Sequence, residues 1–301
     1  MVSISDSIVK NIISRVINNQ DYRIEVISLI NAMFMDFAID FFKQVAEAKL
    51  NKQSITSDWY KAEFLNPTLP SRDIIINSGL NHKTVVNMYN SATREIVLDA
   101  SQNHYDQLYE AINHLVENGT DIDITLSIKL NGVSVDLNIN ESLIVINTLA
   151  VKRAEIRGGA WSSAGKRVEK PLMLTLCTYY GVPSECYELT GLTEANREVD
   201  FYLIDKENRK YLCEVKLMGR GNPESADSTI ARDSRVFVAD KLSQTNKDQL
   251  SSRGVYWVEL RSKNGYTKFE QILKQLGIPY KKPTSSLEDS IGDILNQVLS
   301  V

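Results

Sequence analysis

The chain has few cysteines and few histidines, and those it has are poorly placed for the chemistry such residues perform. Cys177, Cys186 and Cys213 form an odd, scattered set without CxxC spacing. This argues against a disulfide framework and a thiolate zinc site, and they read as reduced and buried. His82, His104 and His114 all precede residue 115, and none stands at a metal-ligand spacing. Zinc hydrolases, histidine-dependent nucleases and Ser/His/Asp hydrolases sited in the C-terminal half are disfavoured accordingly. No apolar run reaches the roughly 18 residues of a membrane span, and the opening "MVSISDSIVKN" lacks the charged and apolar regions of a signal peptide. The expected location is cytoplasmic, without a membrane partner. A basic excess is missing too: the net charge is -4, whereas a dedicated DNA binder is usually basic. The charge is uneven, however. Lys152, Arg153, Arg157, Lys166, Arg167 and Lys170 face only Glu155 and Glu169 within that stretch, so the total does not exclude an anionic partner.

What the chain does have is the balance of a soluble globular protein, with 43% apolar and 24% charged residues among 301, enough for one large domain or two smaller ones. Residues 4 to 50 carry apolar side chains at helical spacing (Ile8, Ile12, Val16; Val26, Ile30, Phe34; Phe37, Phe41, Val45), which predicts two or three helices. The stretch "SRDIIINSGLNHKTVVNMYN" (71 to 90) has the layout of a helix-turn-helix, with Gly79 at the turn and Val85 and Met88 inward. An ordinary helical hairpin explains it equally well. A helix at about 102 to 117 precedes two alternating strands around Asn131-Gly132, a strong hairpin signal. Asn140 is the expected N-cap of a helix from 141 to 157. The stretch "RGGAWSSAGKR" (157 to 167) reads as a loop between a mainly helical domain, 1 to 157, and an αβ domain, 158 to 301.

In the second half a helix over 167 to 180, with Pro171 in its first turn, is followed by strand "EVDFYLID", turn "KENRK", strand "YLCEVKLM", strand "RVFVAD", a helix near 245 to 252, strand "GVYWVEL", the helix "TKFEQILKQLG" and a polar tail. The expected fold class is α/β (α+β), a mixed central β-sheet flanked by helices. One strand is unusual. Glu214 and Lys216 stand two apart in "YLCEVKL" and so share a face. Folding the hairpin near residues 207 to 208 sets Asp200 across from Glu214 or Lys216. Two half-buried carboxylates repel unless a divalent cation neutralises them, and Mg²⁺ is a hard cation suited to carboxylate oxygens. A structural ion pair between Asp200 and Lys216 is the competing explanation.

Asp200 followed by Glu214-x-Lys216 on the second strand of a hairpin resembles the PD-(D/E)xK nuclease motif, with Val199 where the motif's proline stands. The order helix, hairpin, strand, helix, strand is similar to that superfamily's restriction-endonuclease-like core. "RGGAWSSAGKRVEKPLM", "EVKLMGRGNPESAD" and "VFVADKL" resemble the CfrBI family of type II restriction endonucleases over most of the chain. The resemblance implies that Asp200 and Glu214 coordinate Mg²⁺ with the backbone carbonyl of Val215, that Lys216 assists the attacking water, and that Glu169 is an extra acidic residue of the site. Glu169 also reads simply as a surface glutamate at a helix start.

Two stretches are candidate DNA contacts. "GRGNPESADSTIARDSR" offers Arg220, Asn222, Arg232 and Arg235, since Arg reads guanine and Asn adenine. Ser162, Ser163 and Lys166 suit phosphates, as does Lys83 at the start of the second helix of the helix-turn-helix-like pair. The expected activity is Mg²⁺-dependent, sequence-specific cleavage of double-stranded DNA by a homodimer, with a cognate DNA methyltransferase as genetic partner. A non-enzymatic helix-turn-helix regulator, and a repair or defence nuclease of the same superfamily, are the alternatives.

Overall fold

The computed structural model describes residues 4–80, 82–118, 124–189, 191–192, 198–199, 201–217 and 234–300, with backbone alone at 82–84, 115, 191–192 and 198–199. The chain divides into two compact units, residues 29–159 and residues 1–28 with 160–301. Helices α2 (Arg23–Leu50) and α7 (Ile139–Tyr179) each contribute a stretch to both.

The unit of residues 29–159 is mainly helical. With α3 (Ser57–Phe64), α4 (Ser71–Asn77), α5 (His82–Tyr89) and α6 (Arg94–Glu117) it buries Phe41, Tyr60, Leu65, Ile74, Val85, Val97 and Tyr105 in one core. Each such side chain stabilises the fold by about 1.5–3 kcal/mol. Tyr60 and Tyr105 stack with centroids 4.2 Å apart. Helices α4 and α5 turn at Gly79, whose φ of 86° is left-handed, a conformation that glycine adopts without steric cost. Val85 is buried as expected, but Met88 is 62% exposed: α5 turns only one apolar side of its short length inward. The hairpin forms as anticipated, β1 (Leu126–Leu130) pairing antiparallel with β2 (Val133–Leu137) through Asn131 and Gly132, both at positive φ.

Three expectations need correction in and around α7. Its N-cap is Asn138, not Asn140. Asn138 Oδ1 accepts from the Glu141 amide at 3.0 Å and Glu141 Oε2 accepts from the Asn138 amide at 3.0 Å, a reciprocal capping box. The expected loop at 157 to 167 is helix, and helices 141–157 and 167–180 are one. Gly158, Gly159 and Gly165 weaken helix propensity locally, yet Ala160, Ala164 and Val168 are buried at i, i+4 and i+8, and packing of that stripe prevails. Pro171 therefore lies inside α7 rather than in a first turn, and Thr175 Oγ1 donates to its carbonyl at 2.7 Å.

The other unit is built on a five-stranded sheet in the order β3-β6-β7-β8-β9: β3 (Tyr187–Glu188), β6 (Phe201–Ile204), β7 (Lys210–Lys216), β8 (Val236–Ala239) and β9 (Tyr256–Glu259). β6 runs antiparallel to β7, whereas β7, β8 and β9 are parallel, so the sheet is mixed, with α8 (Gln244–Ser252) joining β8 to β9. A short antiparallel pair is formed by β4 (Gly191–Leu192) with β5 (Glu198–Val199), and the expected strand "EVDFYLID" is extended at both described stretches, 198–199 and 201–204, with Asp200 between them outside the described residues. After α9 (Lys268–Leu276) the supposed polar tail holds a further helix, α10 (Leu287–Leu299). Ser286 caps it, accepting from the Asp289 amide at 3.2 Å, and Leu287, Ile291 and Leu295 are its buried stripe. It packs against α1 (Asp6–Ile17), where Lys10 Nζ donates to Asn296 Oδ1 at 2.6 Å. Among the described residues no helix is long and apolar enough to cross a membrane.

Candidate active site

The hairpin between β6 and β7 is fixed by one carboxylate. Asp205 accepts from the amides of Glu207 and Arg209, both at 2.9 Å, from Arg209 Nε at 2.6 Å and from the Tyr211 hydroxyl at 2.8 Å. Burial by itself would raise its pKa, but the Arg209 amide, the Tyr211 hydroxyl, the Arg209 guanidinium and the Glu207 amide outweigh it and hold the group at about 2. Asn208, at φ 61°, completes the turn. The turn sets the register, in which Phe201 opposes Cys213 and Leu203 opposes Tyr211.

That register positions the far end of β7. Glu214 is opposite Phe237 of β8 and Lys216 is opposite Ala239, and paired neighbours point to the same side of a sheet. Phe237 and Ala239 belong to an apolar cluster with Leu242 and Leu250, so Glu214 is a carboxylate, 1% exposed, at the border of an apolar patch. A buried charge needs a partner. Lys216 Nζ lies 2.8 Å from Glu214 Oε1 and 3.4 Å from Glu169 Oε1. On the opposite side of β7, Cys213 and Val215 are fully buried, and burial pushes the thiols of Cys213 and Cys177 up, keeping both protonated.

Glu169 comes from α7. Ser162, Lys166 and Glu169 follow at i, i+4 and i+7, which places them along one side of the helix, with Ser162 and Lys166 exposed and Glu169 buried. Glu169 is thus a buried member of the cluster rather than a surface glutamate at a helix start. Ser163 is half-buried on the neighbouring side. Ser162, Ser163 and Lys166 therefore sit on a helix and not on a loop.

Arg235 stands elsewhere. Its amide donates to the Leu212 carbonyl at 2.9 Å, at the entry to β8, while Lys216 lies four residues further along β7, roughly 13 Å at 3.3 Å per residue. Asp200, Arg220, Asn222 and Arg232 lie outside the described residues, as does the side chain of Lys83. Asp240, which sequence reasoning does not single out, is fully buried just past β8, with Arg261 Nη1 3.9 Å from its carboxylate. The available signal was an aspartate directly following four apolar residues.

Glu169 and Glu214 bring two hard oxygen donors beside one ammonium. Among the described residues no cluster of three or more His, Cys, Asp or Glu forms a complete metal site. The two carboxylates nonetheless have the chemistry that Mg²⁺ prefers, and a lysine beside them suits the handling of a water at a phosphate.

The family model for CfrBI restriction endonucleases matches residues 6–247. No curated protein and no solved structure matches the chain. With a mixed α/β fold and a Glu214-Lys216-Glu169 cluster at the end of β7, this protein belongs to the CfrBI restriction endonuclease family, nucleases whose substrate is DNA.

Proposed function

We propose that the protein is a type II restriction endonuclease that hydrolyses phosphodiester bonds of double-stranded DNA at a specific sequence in a Mg²⁺-dependent reaction. The single observation that carries this reading is the convergence of Glu169, Glu214 and Lys216 at one end of β7 in a chain of the CfrBI family. Asp200, Glu214 and the Val215 carbonyl would hold the ion, with Glu169 nearby. The reading requires Asp200 to extend the hairpin register by one step from the Phe201–Cys213 pair, opposite Glu214. A bound Mg²⁺ supplies Lewis acidity at the scissile phosphate.

The chain's own residues do the rest. Lys216 presents an ammonium at the rim of a buried carboxylate pair, where it orients the attacking water and keeps positive charge beside the phosphate. Glu169 holds that ammonium in place from α7. The apolar cluster behind Glu214 excludes bulk water from one side, which strengthens each electrostatic contact. Ser162, Ser163 and Lys166 are candidate phosphate contacts along the approach to Glu169, while Lys83, Arg220, Asn222, Arg232 and Arg235 are further candidates for the duplex. In this reading residues 1–157 bind DNA or mediate dimerisation and residues 158–301 cut. A palindromic site calls for a homodimer, each copy cutting one strand, and a cognate methyltransferase protects the host DNA.

The test is plasmid cleavage in Mg²⁺ by Asp200→Ala, Glu214→Ala and Lys216→Ala, with duplex binding in Ca²⁺ and melting temperature measured alongside. Each variant is expected to stay folded and bind DNA while cutting falls by orders of magnitude. Near-native cutting by soluble Asp200→Ala would end the assignment, and DNA binding without any cutting by the native protein would point instead to a regulator.

A further inference from the structure

Away from the catalytic cluster, in the unit of residues 1–28 and 160–301, a cleft of about 370 Å³ opens beside the outermost strand β9, between α8 and α9. That is the low end of the roughly 300–1,000 Å³ typical of small-molecule sites. Arg235, Ser251, Trp257, Lys268, Gln271 and Gln275 reach into it. β9 is two strands across the sheet from β7, and Arg235 marks the end of β8 remote from Lys216.

Two cations, Arg235 and Lys268, line the cleft without a carboxylate among the described residues that line it, and Lys247 stands beside it. Lys268 Nζ is 2.6 Å from the centroid of the Trp257 ring, and Lys247 Nζ is 5.4 Å from the same ring. Burial first, and then repulsion from Lys247, push Lys268 down to about 8, with the Glu259 carboxylate acting in the opposite direction. Glu259 is already shared: Lys247 lies 2.6 Å and Lys241 3.8 Å from its oxygens. Arg235 adds an exposed guanidinium, 5.1 Å over the Tyr256 ring. An aromatic face attracts a cation but does not cancel its charge, whereas an anion does. Two side-chain amides complete a set of donors suited to phosphate oxygens.

We propose that this cleft is a nucleotide-phosphate site distinct from the catalytic cluster, in which Arg235 and Lys268 bind the phosphate of a nucleotide, either free or within a nucleic-acid strand, and Gln271 and Gln275 donate to it. When Lys268 turns to the phosphate, the face of Trp257 it covers becomes available to the base. The inference does not rest on the cleavage chemistry, because it asks nothing of Glu214 or Lys216.

Calorimetry on the full chain in EDTA tests it, with inorganic phosphate and 5′-dAMP as probes and circular dichroism to verify folding. Saturable 5′-dAMP binding tighter than that of phosphate is expected. Arg235→Gln and Lys268→Gln should each weaken it about tenfold, the loss of one charge-assisted contact, while Glu214→Gln leaves it unchanged. Should Lys268→Gln fail to fold, the native protein still gives an answer, since 5′-dAMP should raise the titration midpoint of Lys268 above about 8. Competition with a short duplex assigns the source: displacement of 5′-dAMP places the site on a nucleic-acid strand, and no displacement assigns it to free nucleotide. The proposal is overturned by no saturable binding, by equal binding of phosphate and 5′-dAMP, or by binding that neither the Arg235 nor the Lys268 change weakens.

Discussion

Lys216 holds its ammonium 2.8 Å from the carboxylate of Glu214, two residues earlier on the same strand. A structural ion pair and a catalytic pair both explain that distance, and they respond differently to Lys216→Met. If the pair only supports the fold, removing the cation takes away a counter-charge 2.8 Å from a buried carboxylate and costs about 3–5 kcal/mol. The Lys216 side chain is, however, 29% exposed, so water reaches this end of the cluster. The expected result is a stability loss below about 1 kcal/mol with cleavage reduced about 10²–10⁴-fold. Thermal melting and single-turnover cleavage on one preparation decide between them.

Glu169→Gln keeps the shape of the side chain and removes the charge that faces Lys216 at 3.4 Å. If, as proposed, Glu169 acts on the ammonium rather than on the phosphate, cleavage should fall by about 10–100-fold, with the KM for DNA little changed. A rise in KM with kcat intact would show Glu169 to be a DNA-binding determinant instead.

Glu141 is the corresponding buried charge in the helical unit. It accepts from Lys49 Nζ at 2.9 Å, the Ile55 amide at 2.9 Å and the Asn138 amide at 3.0 Å, which together overcome burial and lower its pKa. Glu141→Ala strands two amides and an ammonium, so a loss of about 3–5 kcal/mol is expected. Urea unfolding followed by circular dichroism should show the lowered midpoint.

The residues that were legible from sequence are those where local and tertiary preferences agree. Asn131-Gly132 supports one tight hairpin, and Glu214-x-Lys216 has to put both charges on one face of any strand. Reading was harder where the two conflict. The glycines and serines of 157–167 look like a loop in any short window, and only the buried stripe Ala160, Ala164, Val168, read together with the flanking helices, reveals a single helix. Lysines and serines ahead of α10 masked the spacing of Leu287, Ile291 and Leu295. Glu169 could be suspected from a resemblance, but its burial beside Lys216 depends on how α7 packs, which no local pattern encodes.

The helical state of 157–167 makes its own prediction. A Cβ added to Gly158 or Gly165 would meet nothing within 4 Å, so alanine at either position should fit without strain and reduce the entropy of the unfolded chain. Gly158→Ala and Gly165→Ala should each stabilise the protein by about 0.5–1 kcal/mol. Unchanged or lowered melting temperatures for both would count against a helix there.

Asp205 predicts how the protein responds to acid. Its pKa in the fold is about 2, below the roughly 3.9 of an aspartate in an unfolded chain. A depressed carboxyl stabilises the folded state at pH values above the unfolded pKa, and that contribution is lost as pH falls through the folded pKa. The Asp205 contribution should therefore be intact above about pH 4 and fade between about pH 4 and pH 2. Asp205→Asn keeps an acceptor for some of the turn's donors but cannot titrate. At pH 7 it should melt several degrees lower than the native protein, because the Arg209 and Tyr211 contacts at 2.6 and 2.8 Å lose their charged acceptor. On acidification the two melting curves should converge over that window. A gap that stays constant down to pH 2 would mean that the turn is held by geometry alone and that the charge on Asp205 contributes nothing to the hairpin that positions Glu214.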